Sequence, residues 1–330
     1  METLSLQPES QETDAIARVH ALIGNGLTVA GRHDEVLAGA DGLYLSAILP
    51  PAASEITISG IEALRPEDIK DVEPLRFGAT DSQHEVRFAS VNITKGDGEE
   101  MVTHVAIKYL EGELENAVIE CESLMKVSER RLDALAPVGI LKDGEDGYLI
   151  TLLRPDIISL DNANWTPRPG EVGFEEVIEN LNFIGESLGR LHARGIFHGD
   201  AQPKNFARSD IGEYVVIDLE KGCDITSTEE DLVAAFLGNP SISDSRALHD
   251  LKMFWMTLNR PTGIGLNQEN VFLGSDPENE EIYNVVKDHF LNRYIDTIRQ
   301  QVTPELYAKL SPEIIYEAMN THMMENLGLK

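Results

Sequence analysis

The chain contains the stretch His198-Gly-Asp-Ala-Gln-Pro-Lys-Asn205, followed by the apolar run Tyr214-Val-Val-Ile, which ends on Asp218. An aspartate five positions before an asparagine, with a second aspartate closing an apolar strand, is the arrangement that metal-assisted phosphoryl transfer requires. One carboxylate would orient an attacking hydroxyl and accept its proton. A second carboxylate and an amide oxygen would supply the oxygen ligands that Mg²⁺ prefers.

This stretch resembles the catalytic loop of the protein-kinase-like superfamily, whose usual form is His-Arg-Asp-x-x-x-x-Asn. The variant His-Gly-Asp, with Ile-Asp-Leu-Glu downstream, is more similar to the aminoglycoside and choline phosphotransferase branch and to atypical kinases. The resemblance implies that Asp200 is the catalytic base, that Asn205 and Asp218 bind the metal and the nucleotide, and that His198 braces the loop. It also implies ATP and Mg²⁺ as nucleotide and metal.

The resemblance extends to Val105-Ala-Ile-Lys108, which is similar to the Val-Ala-Ile-Lys motif whose lysine contacts the α and β phosphates. Such a lysine needs a carboxylate partner on the following helix. Glu120 and Glu122 both lie at the edges of that helix's apolar face, so periodicity does not decide between them. The spacing of Glu120 to Leu124 resembles the family's Glu-x-x-x-Leu, which selects Glu120. The alternative is an exposed lysine and two solvated glutamates.

Asp250 lies in the predicted helical segment Ala247-Leu-His-Asp-Leu-Lys-Met-Phe-Trp255, which resembles the helix whose buried aspartate braces the catalytic loop. A buried carboxylate needs hydrogen-bond donors, and loop amides could supply them. An ordinary helix with one aspartate on its polar face is the alternative interpretation.

Several positions depart from the protein-kinase pattern. Gln202 stands where Ser/Thr protein kinases place a lysine, and no Ala-Pro-Glu follows in residues 221–249. The candidate for a glycine-rich loop, residues 77–83, has one glycine instead of three. These departures favour the small-molecule branch over a conventional protein kinase.

The order of predicted elements indicates an α+β fold. Strands are predicted at 85–93 and 102–110 around a turn at 94–98, and at 138–141 and 148–153. Helices are predicted at 10–23, 114–125, 174–191, 245–258, 281–300 and 304–326.

The resemblance implies a bilobal kinase-like fold with a small mixed-β N-lobe carrying one helix and a larger, mainly helical C-lobe. We predict an N-terminal extension at residues 1–74, packed on or continuing into the N-lobe. The N-lobe is predicted at 75–153 and the C-lobe at 154–330.

The composition is strongly acidic, with 27 Lys+Arg against 57 Asp+Glu and a net charge of −30. Such a chain repels nucleic-acid phosphates, so we expect no nucleic-acid partner. The acidity fits either attraction of a cationic acceptor or a simply solvated surface. With two cysteines, no basic leader and no apolar run near the ~20 residues of a membrane helix, we expect a cytoplasmic protein without membrane insertion.

The leading interpretation is a kinase that uses Mg²⁺ and ATP to phosphorylate a hydroxyl of a small molecule. Within enzymes, the alternatives are an atypical protein kinase and a kinase-fold enzyme that transfers a nucleotidyl group. A pseudokinase that acts as a binding or scaffold module is the alternative from another class. The joint presence of Lys108, Asp200, Asn205 and Asp218 argues against a scaffold, which does not need all four. The sequence does not indicate the acceptor or the oligomeric state.

Overall fold

The computed structural model describes fifteen ranges of the chain and separates it into two compact units. The described residues are 27–29, 33–38, 41–45, 57–63, 85–94, 100–130, 132, 134–154, 157–160, 163–165, 167–209, 214–219, 224–239, 241–259 and 279–329. The first unit comprises Met1–Lys126 and Leu135–Pro155, and the second comprises Val127–Ala134 and Asp156–Lys330. The predicted helix at 10–23 and the candidate glycine-rich loop at 77–83 lie outside the described residues.

A seven-stranded sheet is the main element of the described part of the first unit. Its strands are β1 (Leu27–Val29), β2 (Gly42–Leu45), β3 (Thr57–Ala63), β4 (Glu85–Thr94), β5 (Glu100–Leu110), β6 (Pro137–Asp143) and β7 (Asp146–Leu152). The spatial order is β1-β2-β6-β7-β5-β4-β3, and every neighbouring pair is antiparallel except β1 with β2. Three strands from residues 1–74 therefore belong to the same sheet as the strands of 75–153.

The predicted hairpin and the helix after it are confirmed. β4 and β5 pair from Glu85 opposite Tyr109 to Thr94 opposite Glu100, and β7 flanks β5 on its other side. A short helix α1 (His33–Ala38) precedes β2. Helix α2 (Leu114–Glu129), which follows β5, buries the apolar face that periodicity predicts. α2 lies close against β7, because a Cβ built at Gly147 would lie 2.6 Å from the Cβ of Ala117.

The second unit contains two small sheets and a set of helices. Strands β8 (Ile157–Ser159), β10 (Phe206–Ser209) and β11 (Tyr214–Val216) form one antiparallel sheet, and β9 (Ile196–Phe197) pairs with β12 (Asp224–Ile225) in the other. The helices are α3 (Phe174–Ala193), α4 (Glu229–Leu237), α5 (Arg246–Asn259), α6 (Asn279–Val286), α7 (Asn292–Gln301), α8 (Pro304–Leu310) and α9 (Pro312–Asn326). With the first unit, this makes the mixed helix-and-strand composition that the sequence predicts.

Two of the predicted helices are interrupted. The segment predicted as one helix over 304–326 breaks at Ser311, whose φ is 45°, between α8 and α9. Pro312 causes the break, because its ring disfavours the helical conformation in the preceding residue and it has no N–H for the helical ladder. In the segment predicted over 281–300, a π-helical turn at Lys287–Leu291 separates α6 from α7.

Among the helices of the described ranges, none combines the length and the apolar character that crossing a bilayer requires.

Helix α3 packs closely against the segment that runs from the π turn into α7. Gly185 faces the backbone of Phe290, whose carbonyl oxygen a Cβ at this position would overlap. One turn further on, a Cβ at Gly189 would lie 2.8 Å from the Cβ of Thr297. The two glycines therefore let two backbones approach more closely than any larger residue would allow.

We expect Gly185→Ala to lower the free energy of unfolding by about 2 kcal/mol, because the new methyl group meets backbone that cannot rotate away. In an open helix the same change would stabilise by up to about 1 kcal/mol. Urea unfolding measures the difference, with Ser187→Ala on the same helix as the matched control, expected to stay within about 0.5 kcal/mol. A Gly185→Ala protein as stable as the wild type would show that the two segments do not approach this closely.

Candidate functional site

The stretch from His198 to Asn205 forms a loop between β9 and β10. It leaves the sheet at Phe197 and ends in one turn of 3-10 helix, Pro203–Asn205. The backbone N–H of Asn205 donates to the backbone carbonyl of Gln202 at 2.9 Å. Pro203 starts the turn with the backbone angle that such a turn needs. The chemistry-bearing residues of the stretch therefore occupy a short, internally bonded segment.

Asp250 fixes the start of this loop. Its side chain on α5 is fully buried, and its carboxylate accepts from the backbone amides of His198 at 2.7 Å and Gly199 at 2.8 Å. The Nε2 atom of His192, on α3, lies 2.9 Å from the same carboxylate. The alternative of an aspartate on a polar helix face is therefore wrong, and loop amides supply the donors.

The charge of Asp250 is stabilised by these contacts. Burial by itself would raise the pKa of this carboxyl group, but the hydrogen bond and Coulomb attraction of His192, together with His198, hold the pKa below its ordinary value of 3.8. Since an ionised carboxylate only accepts, His192 must carry a proton on Nε2. Its Nδ1 atom lies 2.9 Å from the hydroxyl of Tyr294, whose pKa is raised by burial and by Asp250.

His198 connects the two segments that carry the predicted aspartates. Its Nδ1 accepts from the backbone amide of Asp200 at 3.3 Å, so the ring proton resides on Nε2, which faces the carbonyl oxygen of Ile217 at 3.3 Å. Ile217 directly precedes Asp218. One buried imidazole thus holds the Asp200 backbone and the chain entering Asp218 at fixed positions, which is the bracing role that the resemblance implies.

Asp200 is partly exposed, and two neutral amides hold its carboxylate. The Nε2 of Gln202 donates to Oδ1, and the Nδ2 of Asn205 donates to Oδ2 at 3.2 Å and to the Asp200 carbonyl at 2.7 Å. These two contacts, both from neutral side chains, fix the rotamer of Asp200. The role of Gln202 was not predicted, because the sequence shows only that it replaces a lysine.

Asp218 follows β11 in a left-handed backbone conformation, with φ of 58°. Non-glycine residues seldom adopt this conformation, which is enriched for aspartate and recurs at functional sites. The Ile217 amide donates to the Asn205 carbonyl at 2.9 Å, so the chain before Asp218 is bonded directly to the residue predicted to share its metal. The structure therefore brings Asp200, Asn205 and the chain entering Asp218 into one hydrogen-bonded network.

The donor set of this network fits a magnesium ion. Asn205 directs its amide nitrogen at Asp200, which leaves its amide oxygen available as a ligand, and Asp218 offers a carboxylate. Mg²⁺ typically takes one or two protein carboxylates and completes its shell with water and substrate phosphates. Within the described residues, no cluster of three or more His, Cys, Asp or Glu side chains forms a fuller metal site.

Lys108 and Glu120 form an ion pair in the first unit. The Nζ of Lys108, on β5, lies 2.9 Å from Oε2 of Glu120, on α2. The side chain of Glu120 is 4% exposed, so its charge depends on partners such as this lysine. Glu122, the other carboxylate that periodicity allowed, instead lies 4.0 Å from Lys126.

No protein-family model and no curated protein matches this sequence. One of the solved structures that it resembles is WaaP in complex with acyl carrier protein, at 13% identity and a TM-score of 0.39, over 81% of this chain and 99% of that chain. A similarity of this size supports no conclusion about activity, which has to come from the site itself.

We expect Asp250→Asn to lower the free energy of unfolding by about 3 kcal/mol near neutral pH, because an amide turns one donor toward backbone N–H groups. The folded-state pKa of Asp250 is depressed, so its stabilisation is present above the ordinary pKa of 3.8 and is lost as the pH falls through the folded value.

Urea unfolding across the pH range tests this dependence. The gap between wild type and variant should hold from neutral pH down to about pH 4 and close only below it. The control is Asp296→Asn, at an exposed carboxylate paired with Arg299, where the expected change is below about 1 kcal/mol. An Asp250→Asn protein of wild-type stability would contradict the bracing role.

Proposed function

We propose that this chain is an ATP- and Mg²⁺-dependent phosphotransferase that transfers the γ-phosphoryl group to a hydroxyl of a small-molecule acceptor. The proposal includes a kinase-like fold with the predicted division at residues 153–154. The observation that carries it is the hydrogen-bonded network of the second unit, in which Asp200, Asn205 and the chain entering Asp218 are held together by His198.

Asp200 is the proposed catalytic base. An ionised carboxylate has about four lone-pair sites, and Gln202 and Asn205 engage one on each oxygen. The partly exposed carboxylate therefore retains capacity to accept the proton of an acceptor hydroxyl. The hydroxyl oxygen then bonds to the γ-phosphorus as the bond to the leaving ADP breaks, and the proton stays on Asp200.

Asp218 and the amide oxygen of Asn205 are the proposed metal ligands. Bound there, Mg²⁺ would neutralise charge on the phosphate oxygens of the nucleotide. The protein's contribution is to position these ligands. The hydrogen bond from the Ile217 amide to the Asn205 carbonyl and the left-handed backbone of Asp218 determine the direction in which the Asp218 side chain starts.

Lys108 is the proposed contact for nucleotide phosphates in the first unit. An ammonium group on a flexible stem needs restraint to act at one position. Glu120 provides that restraint at 2.9 Å, and the side chain of Lys108 keeps 17% exposure, so the group can still meet an anion.

Replacing Lys108 by Met should weaken the binding of Mg-ATP at least about tenfold, because a charge-assisted contact to phosphate is lost. The measurement is the rise in melting temperature with Mg-ATP, taken relative to each protein's own melting temperature. Lys126→Met is the matched control, because Lys126 lies on α2, is 48% exposed and pairs only loosely with Glu122. An undiminished response in Lys108→Met would refute its role as phosphate contact.

Replacing Asp200 by Asn should reduce transfer about 10²- to 10⁴-fold while Mg-ATP still raises the melting temperature, because the base is removed and the metal and phosphate ligands remain. Transfer is measured from γ-labelled ATP into a metabolite extract, with Asp296→Asn as an active control. Label entering from the α position would instead indicate nucleotidyl transfer, and label in protein would indicate a protein kinase. Mg-ATP binding without any turnover in the wild type would indicate a scaffold.

A further inference from the structure

Two arginines in the second unit hold each other through backbone carbonyls. Arg130 follows α2 and donates through Nη1 to the carbonyl of Arg194 and through Nη2 to that of Thr226, at 3.1 Å for the latter. Arg194 follows α3 and donates through Nη1 to the carbonyl of Arg130 at 2.7 Å. The reciprocal bonds bring two side chains of like charge close enough together that Arg194 lowers the pKa of Arg130.

Neither guanidinium has a carboxylate within ion-pair distance among the residues that the structure describes. Other arginines of this unit do: Arg190 and Arg293 pair with Glu186, Arg208 pairs with Glu176, and Arg299 pairs with Asp296. The contrast is informative because the chain has 57 acidic residues against 27 basic ones, so carboxylates are the abundant partner.

Carbonyl groups do not neutralise this charge. Both arginines lie at helix C-termini, which together supply roughly one negative elementary charge against two positive ones. Burial lowers the pKa of Arg130, Glu129 opposes that effect, and the neighbouring Arg194 lowers the pKa further. The charged form of Arg130 is thus held at a disadvantage that a bound anion would remove.

The pair also retains donors. A guanidinium has five N–H groups, and each arginine uses two of them here. The second contact of Arg194 is a long one, 3.4 Å from Nη2 to the side-chain oxygen of Gln301. The other three N–H groups of each side chain have no partner within the described ranges. The bonds to backbone orient both planes in advance, which reduces the entropy lost when a ligand binds. Arg194 is exposed and Arg130 partly exposed, so an anion from solvent can reach them.

We propose that Arg130 and Arg194 form an oxyanion site that takes a phosphate group. A phosphate offers three strong acceptor oxygens and up to two negative charges. These match two guanidinium groups, whose six remaining N–H donors have no partner among the described residues, better than a single carboxylate does. This site does not depend on the proposed transfer reaction, since its residues are none of those assigned to catalysis or nucleotide binding.

The test is calorimetric titration of the full chain with inorganic phosphate up to about 10 mM, at constant ionic strength. The wild type should bind phosphate. Arg194→Gln and Arg130→Gln should each bind it at least about tenfold more weakly, because a charge-assisted contact is lost. The matched control is Arg293→Gln, which removes an arginine already paired with Glu186 and should leave phosphate affinity unchanged. Arg194→Gln decides the result if Arg130→Gln does not fold, since Arg194 is exposed.

Lys108→Met separates this site from the proposed nucleotide site. Phosphate binding should persist in that variant, and ¹H–¹⁵N NMR of the arginine Nε–H groups should show shifts at Arg130 and Arg194 on titration. Wild-type affinity in Arg194→Gln, loss of binding in Lys108→Met alone, or an absence of phosphate binding by the wild type would each overturn the proposal.

Discussion

The arrangement of the candidate site depends on a single buried carboxylate, that of Asp250. A charge removed from water costs several kcal/mol unless donors replace its hydration. Here the amides of His198 and Gly199 and the ring of His192 converge on it within 2.9 Å. Because each donor comes from a fixed backbone or a fully buried ring, the carboxylate ties the end of α3, the loop and α5 into one geometry.

Hydrogen bonds from neutral groups connect Asp250 to Asp200 and to the chain entering Asp218. His198 gives its backbone amide to Asp250 and uses both ring nitrogens to hold the Asp200 amide and the Ile217 carbonyl. Asn205 then holds Asp200 with its side chain and the Ile217 amide with its carbonyl. Each of these hydrogen bonds joins a backbone group or an amide, so the network's geometry depends little on ionic strength, unlike one made of surface ion pairs.

The sequence predicted the parts of this molecule that repeat with a helical or strand period. It predicted the β4–β5 hairpin, α2 and α3 because each alternates apolar and polar residues over many positions. It did not predict the π turn at Lys287–Leu291, because buried apolar residues recur every four positions from Val286 to Ile298, a spacing that an uninterrupted α-helix also allows. Nor could it find the contact of His192 with Tyr294, because residues 102 positions apart meet only through tertiary packing.

Gln202 bears on which acceptors this site would suit. A lysine at this position would bring a positive charge to the phosphate being transferred, whereas Gln202 uses its amide to orient Asp200 and adds no charge. Among the described residues, no cationic side chain forms an ion pair with Asp200, in a chain whose net charge is −30. An anionic acceptor would be repelled at the position of the base, whereas a positive group on the acceptor would be attracted there. Under the proposed transfer reaction, the loop would therefore suit a cationic acceptor better than an acidic one.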